Sequence, residues 1–109
     1  MTATKAPLAL LRLPDYNTLA TWQVRGLACV WGGEDLANMR SVDLGKHAIH
    51  RTGTRASWSP RACYGCTARG AYRALLDHSV QCPLCASEET APQCLIGQGL
   101  SRLYRECRR

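Results

Sequence analysis

Two Cys-x-x-Cys pairs, Cys63/Cys66 and Cys82/Cys85, are the residues whose type and spacing most clearly predict chemistry in this chain. They enclose the stretch CYGCTARGAYRALLDHSVQCPLC. Cysteines at this spacing bind Zn²⁺ as thiolates, and the distance between the pairs matches a single site with four cysteine ligands. The pairs therefore present a choice between one shared metal ion and two separate ions.

The segment between the pairs favours two ions. Residues 67–77 have the spacing of an amphipathic helix, which would carry the chain about 16 Å from Cys66 at about 1.5 Å per residue. The few residues that remain before Cys82 barely cover that distance, even fully extended at about 3.5 Å each. A single site shared by all four cysteines remains the alternative, and it requires the helix to break, with Gly70 as the weakest position.

The second of the two predicted sites has a complete ligand set in one short stretch. Its members are His78, Cys82, Cys85 and Cys94, and three thiolates with one imidazole form a common structural zinc site. Two alternatives stay open: His78 as a cation at a helix C-terminus, and Cys94 as a buried thiol. Cys107, among charged residues near the chain end, is interpreted as a spare thiol.

The first predicted site lacks one ligand. Its three thiolates come from Cys29, Cys63 and Cys66. In the segment CVWGG, Gly32 stands where the second cysteine of a zinc knuckle would be. His47 and His50 are possible fourth ligands, with surface imidazoles as the alternative. A water in the fourth position, or loss of the metal, would also fit the pattern.

The order of elements over residues 29–76 resembles the zinc core of HNH-type treble-clef proteins: a knuckle, a hairpin, and a Cys-x-x-Cys pair that opens a helix. The segments GLACVW, VDLG, PRAC and AYRALLDH are also similar to those of small actinobacterial zinc-binding proteins. Both resemblances imply a fold and a metal rather than an activity. HNH enzymes carry a catalytic His beside an acidic residue, but here Leu44 follows Asp43. The chain is therefore expected to be non-enzymatic, with a degenerate HNH-type nuclease using His47 or His50 as a lesser alternative.

Composition indicates that metal, rather than a large core, stabilises the fold. The chain has 109 residues, no Phe, three Trp and seven Cys, so large core-filling side chains are scarce. The N-terminal stretch lacks the pattern of a secretory signal or a membrane span. A cytoplasmic location is expected, where cysteines bind metal rather than form disulfides. Zinc is favoured over an iron–sulfur cluster, and over thioredoxin-like redox chemistry because no βαβ pattern surrounds Cys82 and Cys85.

Residues 44–76 contain no acidic side chain but six basic ones: Lys46, Arg51, Arg55, Arg61, Arg69 and Arg73. Two sites with three thiolates each would reduce the formal charge of +6 to about +4. Treble-clef proteins often place a hairpin and helix against a phosphate backbone. The segment therefore predicts an accessory or regulatory protein that contacts DNA or RNA without reading sequence. The alternative is an ordinary solvated basic face.

The predicted fold is a small zinc-stabilised α+β domain. Residues 1–14 are assigned to a flexible arm and residues 15–109 to a single domain. Within it, 15–77 form a treble-clef-like unit with a short helix before Gly26 and a hairpin around 52–54. Residues 78–109 hold the second zinc site and an amphipathic terminal helix. The apolar stripe of that helix, Ile96, Leu100, Leu103 and Tyr104, supports an alternative function as a protein–protein adapter or homodimer.

Overall fold

The computed structural model describes residues 5–51 and 54–108, and it has a small α+β fold, as the sequence predicts. Helices α1 to α4 span Lys5–Ala9, Thr21–Val24, Tyr64–Gln81 and Leu95–Cys107. Strands β1 to β4 span Ser41–Asp43, His47–Arg51, Thr54–Trp58 and Arg61–Cys63. Short 3-10 turns lie at Tyr16–Thr18, Leu84–Ala86 and Ala91–Gln93. Within the described ranges, none of the helices has the length and apolar character that a membrane span needs.

The chain divides into two compact units. The hairpin unit is Leu13–Cys66, and the helical unit comprises the described residues of Met1–Arg12 and Thr67–Arg109. The first three residues of α3 belong to the hairpin unit and the rest of that helix to the helical unit. Each candidate metal ligand set predicted from the sequence lies within one of these units.

Two nested antiparallel pairs of strands form the hairpin unit. β2 pairs with β3, and β1 pairs with β4 in a register that places Val42 opposite Ala62. The Leu44 N–H donates to the Pro60 carbonyl at 3.0 Å and extends the outer pair. The predicted hairpin is therefore present, although its turn residues 52–53 lie outside the described residues. Val42, Leu44 and Trp58 are buried and contribute to the core of this unit.

The region after residue 15 forms two short helical pieces rather than one helix. Asp15 caps the first piece by accepting a hydrogen bond from the Asn17 N–H at 3.0 Å. The backbone is extended at Leu19 and Ala20, which separates this piece from α2. The predicted stop at Gly26 is present, with φ +76°. A Cβ at Gly26 would lie 3.2 Å from the Ser59 carbonyl, so a larger residue is disfavoured there.

Part of the predicted arm is folded. Residues 5–9 form α1, and both Leu8 and Leu11 are buried within the helical unit, whereas residues 1–4 lie outside the described ranges. Pro7 approaches Gly99 of α4 so closely that a Cβ at Gly99 would lie 2.9 Å from Pro7 Cγ. α1 therefore packs on α4, which the interrupted apolar pattern of the N-terminal stretch does not indicate.

The predicted central helix is present and is longer than expected, because α3 runs through Gly70 from Tyr64 to Gln81. Its buried side is made of small residues, including Thr67, Ala68 and Ala71. Tyr72 is half exposed, and its ring lies 5.5 Å from the ring of Tyr104 in α4. This aromatic contact helps to join the two long helices within the helical unit.

The terminal helix is also present, but its apolar stripe is largely internal. Leu100 and Leu103 are 0% and 2% exposed, whereas Ile96 is 47% exposed. Two members of the stripe therefore belong to the core, and the adapter or homodimer hypothesis stays a prediction. Cys107 is free and belongs to neither group of candidate metal ligands, in line with its interpretation as a spare thiol, but the charged residues around it do not indicate its burial. Cys107 is fully buried in the last turn of α4, and burial raises its pKa.

Candidate metal centres

Two groups of side chains bring metal-binding donor atoms together. The first cluster is Cys29, Glu34, Cys63 and Cys66, and the second cluster is His78, Cys82, Cys85 and Cys94. Within each cluster, the donor atoms all lie within 4.8 Å of one another. The two Cys-x-x-Cys pairs thus belong to different clusters, as the helix between them predicts. None of the seven cysteines, all in the described part of the chain, forms a disulfide.

The second cluster is built where α3 ends and α4 begins. His78 lies in the last turn of α3, and its carbonyl accepts a hydrogen bond from the Cys82 N–H at 3.0 Å. Cys85 follows in a 3-10 turn, and Cys94 is the N-cap residue of α4. His78 Nε2 lies 3.2 Å from Cys94 Sγ, and the Cys82 and Cys94 sulfurs are 3.7 Å apart.

Cys94 has a structural role in addition to its place in the second cluster. Its sulfur accepts a hydrogen bond from the Gly97 N–H at 3.4 Å, so it caps the first turn of α4. A Cβ at Gly97 would lie 3.2 Å from Cys85 Sγ, and the absence of a side chain there lets the helix approach both sulfurs.

The first cluster joins a turn to the start of α3. Cys29 lies in the turn after α2, Cys63 ends β4, and Cys66 lies in the first turn of α3, where its N–H donates to Cys63 Sγ at 3.3 Å. The fourth donor is the carboxylate of Glu34. Its Oε2 atom lies 3.1 Å from Cys63 Sγ and 4.0 Å from Cys66 Sγ.

Two glycines shape the turn that brings Glu34 to the thiols. Gly33 adopts a left-handed backbone conformation, with φ +79°, and its N–H donates to the Cys29 carbonyl at 2.8 Å. The Gly32 N–H points at Cys29 Sγ, 3.5 Å away. A Cβ at Gly32 would lie only 2.6 Å from Glu34 Cδ. The Glu34 side chain therefore occupies the space that a side chain at position 32 would need.

Glu34 is the cluster member that sequence reasoning missed. The sequence offers His47 and His50 as fourth donors, but His47 Nε2 lies 3.1 Å from the Leu44 carbonyl, and His47 is not a member of the cluster. The side chain of His50 lies outside the described part of the structure. The signal for Glu34 in the sequence is a carboxylate directly after the Gly32–Gly33 turn, whereas the knuckle pattern predicts the ligand at position 32 itself.

The donor geometry of the second cluster fits one tetrahedral zinc ion. With Zn–S bonds of about 2.3 Å, two sulfurs on a tetrahedral edge are about 3.8 Å apart. The observed separation of Cys82 and Cys94 is 3.7 Å. The first cluster has the same donor number, and the distances from Glu34 Oε2 to Cys63 Sγ and Cys66 Sγ, 3.1 and 4.0 Å, lie on either side of the S···O edge of about 3.5 Å expected around zinc. Both donor sets fit a single ion bound between them.

The thiols in each cluster do not share one pKa. Burial raises the pKa of Cys63 to about 12, and a hydrogen bond to the Glu34 carboxylate adds to the rise. Partial burial raises the pKa of Cys85 to about 11. At Cys29 burial also favours the thiol, but backbone N–H donors outweigh it and lower the pKa. The Cys85 N–H is the main cause of the lowered pKa of Cys82. Within each cluster, one cysteine therefore loses its proton more readily than a free thiol and another holds it more tightly.

These shifts predict that zinc binding at the first cluster releases protons. Burial raises the pKa of Cys63 and of Cys66, so both are protonated near neutral pH without metal, yet zinc binds thiolates. We expect at least two protons to be released, one each from Cys63 and Cys66, and zinc affinity to increase as pH rises. Calorimetric titration with zinc in two buffers of different ionisation enthalpy measures this release. Equal heats in both buffers would contradict the prediction.

The six basic residues that are predicted to contact nucleic acid differ in their exposure and in their hydrogen-bond partners. Arg61 is half-buried, and its Nε donates to Ser41 Oγ at 3.1 Å while Nη1 lies 3.9 Å from Asp43 Oδ2. Part of its charge is therefore compensated within the hairpin unit. The exposed members of the set are Lys46, Arg69 and Arg73. The side chains of the remaining two, Arg51 and Arg55, lie outside the described part of the structure.

Leu44 stands at the position where the HNH resemblance expects a catalytic histidine. Leu44 is 3% exposed and belongs to the core of the hairpin unit. The neighbouring Asp43 accepts a hydrogen bond from the Gly45 N–H at 2.9 Å and lies near Arg61.

No family model, curated protein or solved structure matches the chain. Among the described residues, the Cys-rich clusters are two sites that could each hold a metal ion.

Proposed function

We propose that the protein is a non-enzymatic module stabilised by two zinc ions, and that it acts as an accessory protein on nucleic acid. The metal part of this proposal is carried by the convergence of four donor atoms in each cluster to within 4.8 Å of one another. Both sets combine thiolates with one nitrogen or oxygen donor, which suits zinc better than an iron–sulfur cluster held by four cysteines. The ion in the first cluster would join two segments that are distant in the sequence, and the ion in the second would join the end of α3 to the start of α4.

The nucleic-acid part is supported by charge. Residues 44–76 carry six basic side chains and no acidic one, and Lys46, Arg69 and Arg73 are exposed. Exposed lysines and arginines bind phosphates through charge and hydrogen bonds without reading base edges. The predicted interaction is therefore with a nucleic-acid backbone and has little sequence preference.

Salt-titrated binding to a labelled DNA duplex and an RNA hairpin, followed by fluorescence anisotropy, tests this function. We expect affinity to fall steeply with salt, and the double variant Lys46→Gln/Arg73→Gln to reduce the slope of log K against log[salt] by about 2. The matched control is Arg102→Gln/Arg105→Gln, which removes the same charge from exposed positions on α4. No binding at low salt, or equal losses in both double variants, would contradict a role for the basic segment.

A further inference from the structure

The two clusters differ in how well one donor is protected from solvent. In the second cluster, Cys94 is buried, and the other three donors come from half-buried residues. In the first cluster, Cys29 and Cys66 are buried but Glu34 is exposed. The four donors of the second cluster therefore come from residues that are at least half-buried, whereas one donor of the first comes from an exposed glutamate.

We propose that the first cluster is an exchangeable zinc site with Glu34 as a displaceable fourth ligand, whereas the second cluster retains its zinc. This inference rests on the proposed function, since both clusters must take zinc. The three thiolates of the first cluster hold the ion, and the carboxylate completes its coordination. The site can therefore pass zinc to, or accept it from, small chelating molecules in the surrounding solution.

The chemistry of the fourth donor supports the difference. Zinc is a borderline-soft ion, and a carboxylate oxygen competes with water more directly than a thiolate does. In exchange, a donor atom of the entering molecule would first replace the Glu34 carboxylate on zinc. The three Zn–S bonds would then break as further donor atoms of that molecule bind the ion, and the Cys63 and Cys66 thiolates would take up protons from water. The released carboxylate returns to water at little cost because the side chain is already exposed. The same step in the second cluster would have to displace a shielded thiolate or the His78 imidazole.

Gly32 determines which kind of site forms. Its backbone is outside the left-handed region, since the positive-φ glycines are Gly26, Gly33 and Gly45, so a side chain is tolerated by the backbone. Its absent Cβ leaves the space that the Glu34 carboxylate fills. A cysteine at position 32 would displace that flexible side chain and supply a fourth thiolate, as in a complete knuckle. The glycine at position 32 therefore leaves the fourth ligand position to the displaceable Glu34 carboxylate.

Zinc transfer to excess 4-(2-pyridylazo)resorcinol, followed by absorbance, tests the inference on protein loaded with two zinc ions. We expect one zinc to leave in a fast phase and the other at least tenfold more slowly. Glu34→Ala should speed the fast phase at least fivefold, and Gly32→Cys should slow it at least tenfold. The matched control is Asp35→Asn. Asp35 is the adjacent exposed carboxylate, and it accepts a hydrogen bond from the Ala37 N–H instead of joining the cluster. It should leave both phases unchanged.

Two results would overturn the inference. Both zinc ions could leave in a single phase, or Glu34→Ala could leave the fast phase unchanged. Because the wild type and Glu34→Ala alone decide the matter, poor folding of Gly32→Cys would not obscure the result. Native mass spectrometry separates this failure from that of the proposed function. Two bound zinc ions with equal release rates would overturn only the exchange, whereas failure to take up a second ion from excess zinc would overturn both.

Discussion

Replacing Cys94 with alanine is expected to remove one zinc ion and unfold the helical unit, whereas the same replacement at Cys107 should leave both ions bound. Both side chains are buried, so the two variants lose the same atoms from similar surroundings. They differ in their neighbours. Only Cys94 lies 3.7 Å from the Cys82 sulfur and 3.2 Å from His78 Nε2.

The expected difference is large because the metal contributes folding free energy directly. Structural zinc sites bind with about 10–16 kcal/mol in small domains, whereas an entire domain is typically stable by about 5–15 kcal/mol. Cys94 also caps α4 through the Gly97 N–H, and loss of a cap costs about 1 kcal/mol. At Cys107 the loss is limited to one buried sulfur, comparable to about 1 kcal/mol of apolar burial.

Native mass spectrometry counts the zinc ions, and circular dichroism during heating measures the helix that remains. Cys94→Ala should carry one zinc and have reduced helicity at 25 °C, while Cys107→Ala should carry two and melt cooperatively. The assignment of Cys94 as a ligand would be wrong if its variant kept both ions and melted like the Cys107 variant.

The second cluster could be predicted from sequence because its donors are local. His78, Cys82, Cys85 and Cys94 lie close together along the chain, so turn geometry alone limits how far apart they can be. The separation of the two Cys-x-x-Cys pairs was also predictable, since the length of an uninterrupted helix follows directly from its rise per residue. Both predictions depend only on local backbone geometry, which the sequence of a short segment determines.

The fourth donor of the first cluster depends on tertiary packing and could not be found in this way. Glu34 reaches the thiols because β4 and the start of α3 bring Cys63 to the turn after Cys29, and because Gly32 leaves room. The sequence shows that position 32 lacks a cysteine, but it does not show that the Glu34 carboxylate fills the space left by the missing side chain. Glu34 is also exposed, and exposed carboxylates are ordinary surface residues in most proteins.

The packing of the N-terminal segment also could not be predicted from its sequence pattern. Proline and arginine interrupt its apolar residues, so its pattern indicates an arm, yet Leu8 and Leu11 are buried in the helical unit. The reason lies at the other end of the chain, where Gly99 provides a close approach for Pro7. A pattern window cannot show a partner surface about ninety residues away in sequence, because contacts of that kind are set by the tertiary fold.

Replacing Leu100 with alanine is expected to lower the free energy of unfolding by about 3 kcal/mol, within the range of about 2–5 kcal/mol typical for a buried leucine. Leu100 is fully buried on α4, so truncation both removes apolar contact and leaves a cavity. The matched control is Ile96→Ala, one turn earlier on the same helix, where 47% exposure limits the expected loss to about 1 kcal/mol.

Urea denaturation of the zinc-loaded proteins in excess zinc measures both losses, and sedimentation shows whether association changes. A stability loss confined to Leu100→Ala, in a protein whose association state does not change, would identify the stripe as the core of the helical unit. Unchanged stability together with weaker self-association in that variant would support the interaction-surface hypothesis. Because the two residues differ mainly in burial, their comparison separates a core made of Leu100 and Leu103 from an adapter surface made of the same residues.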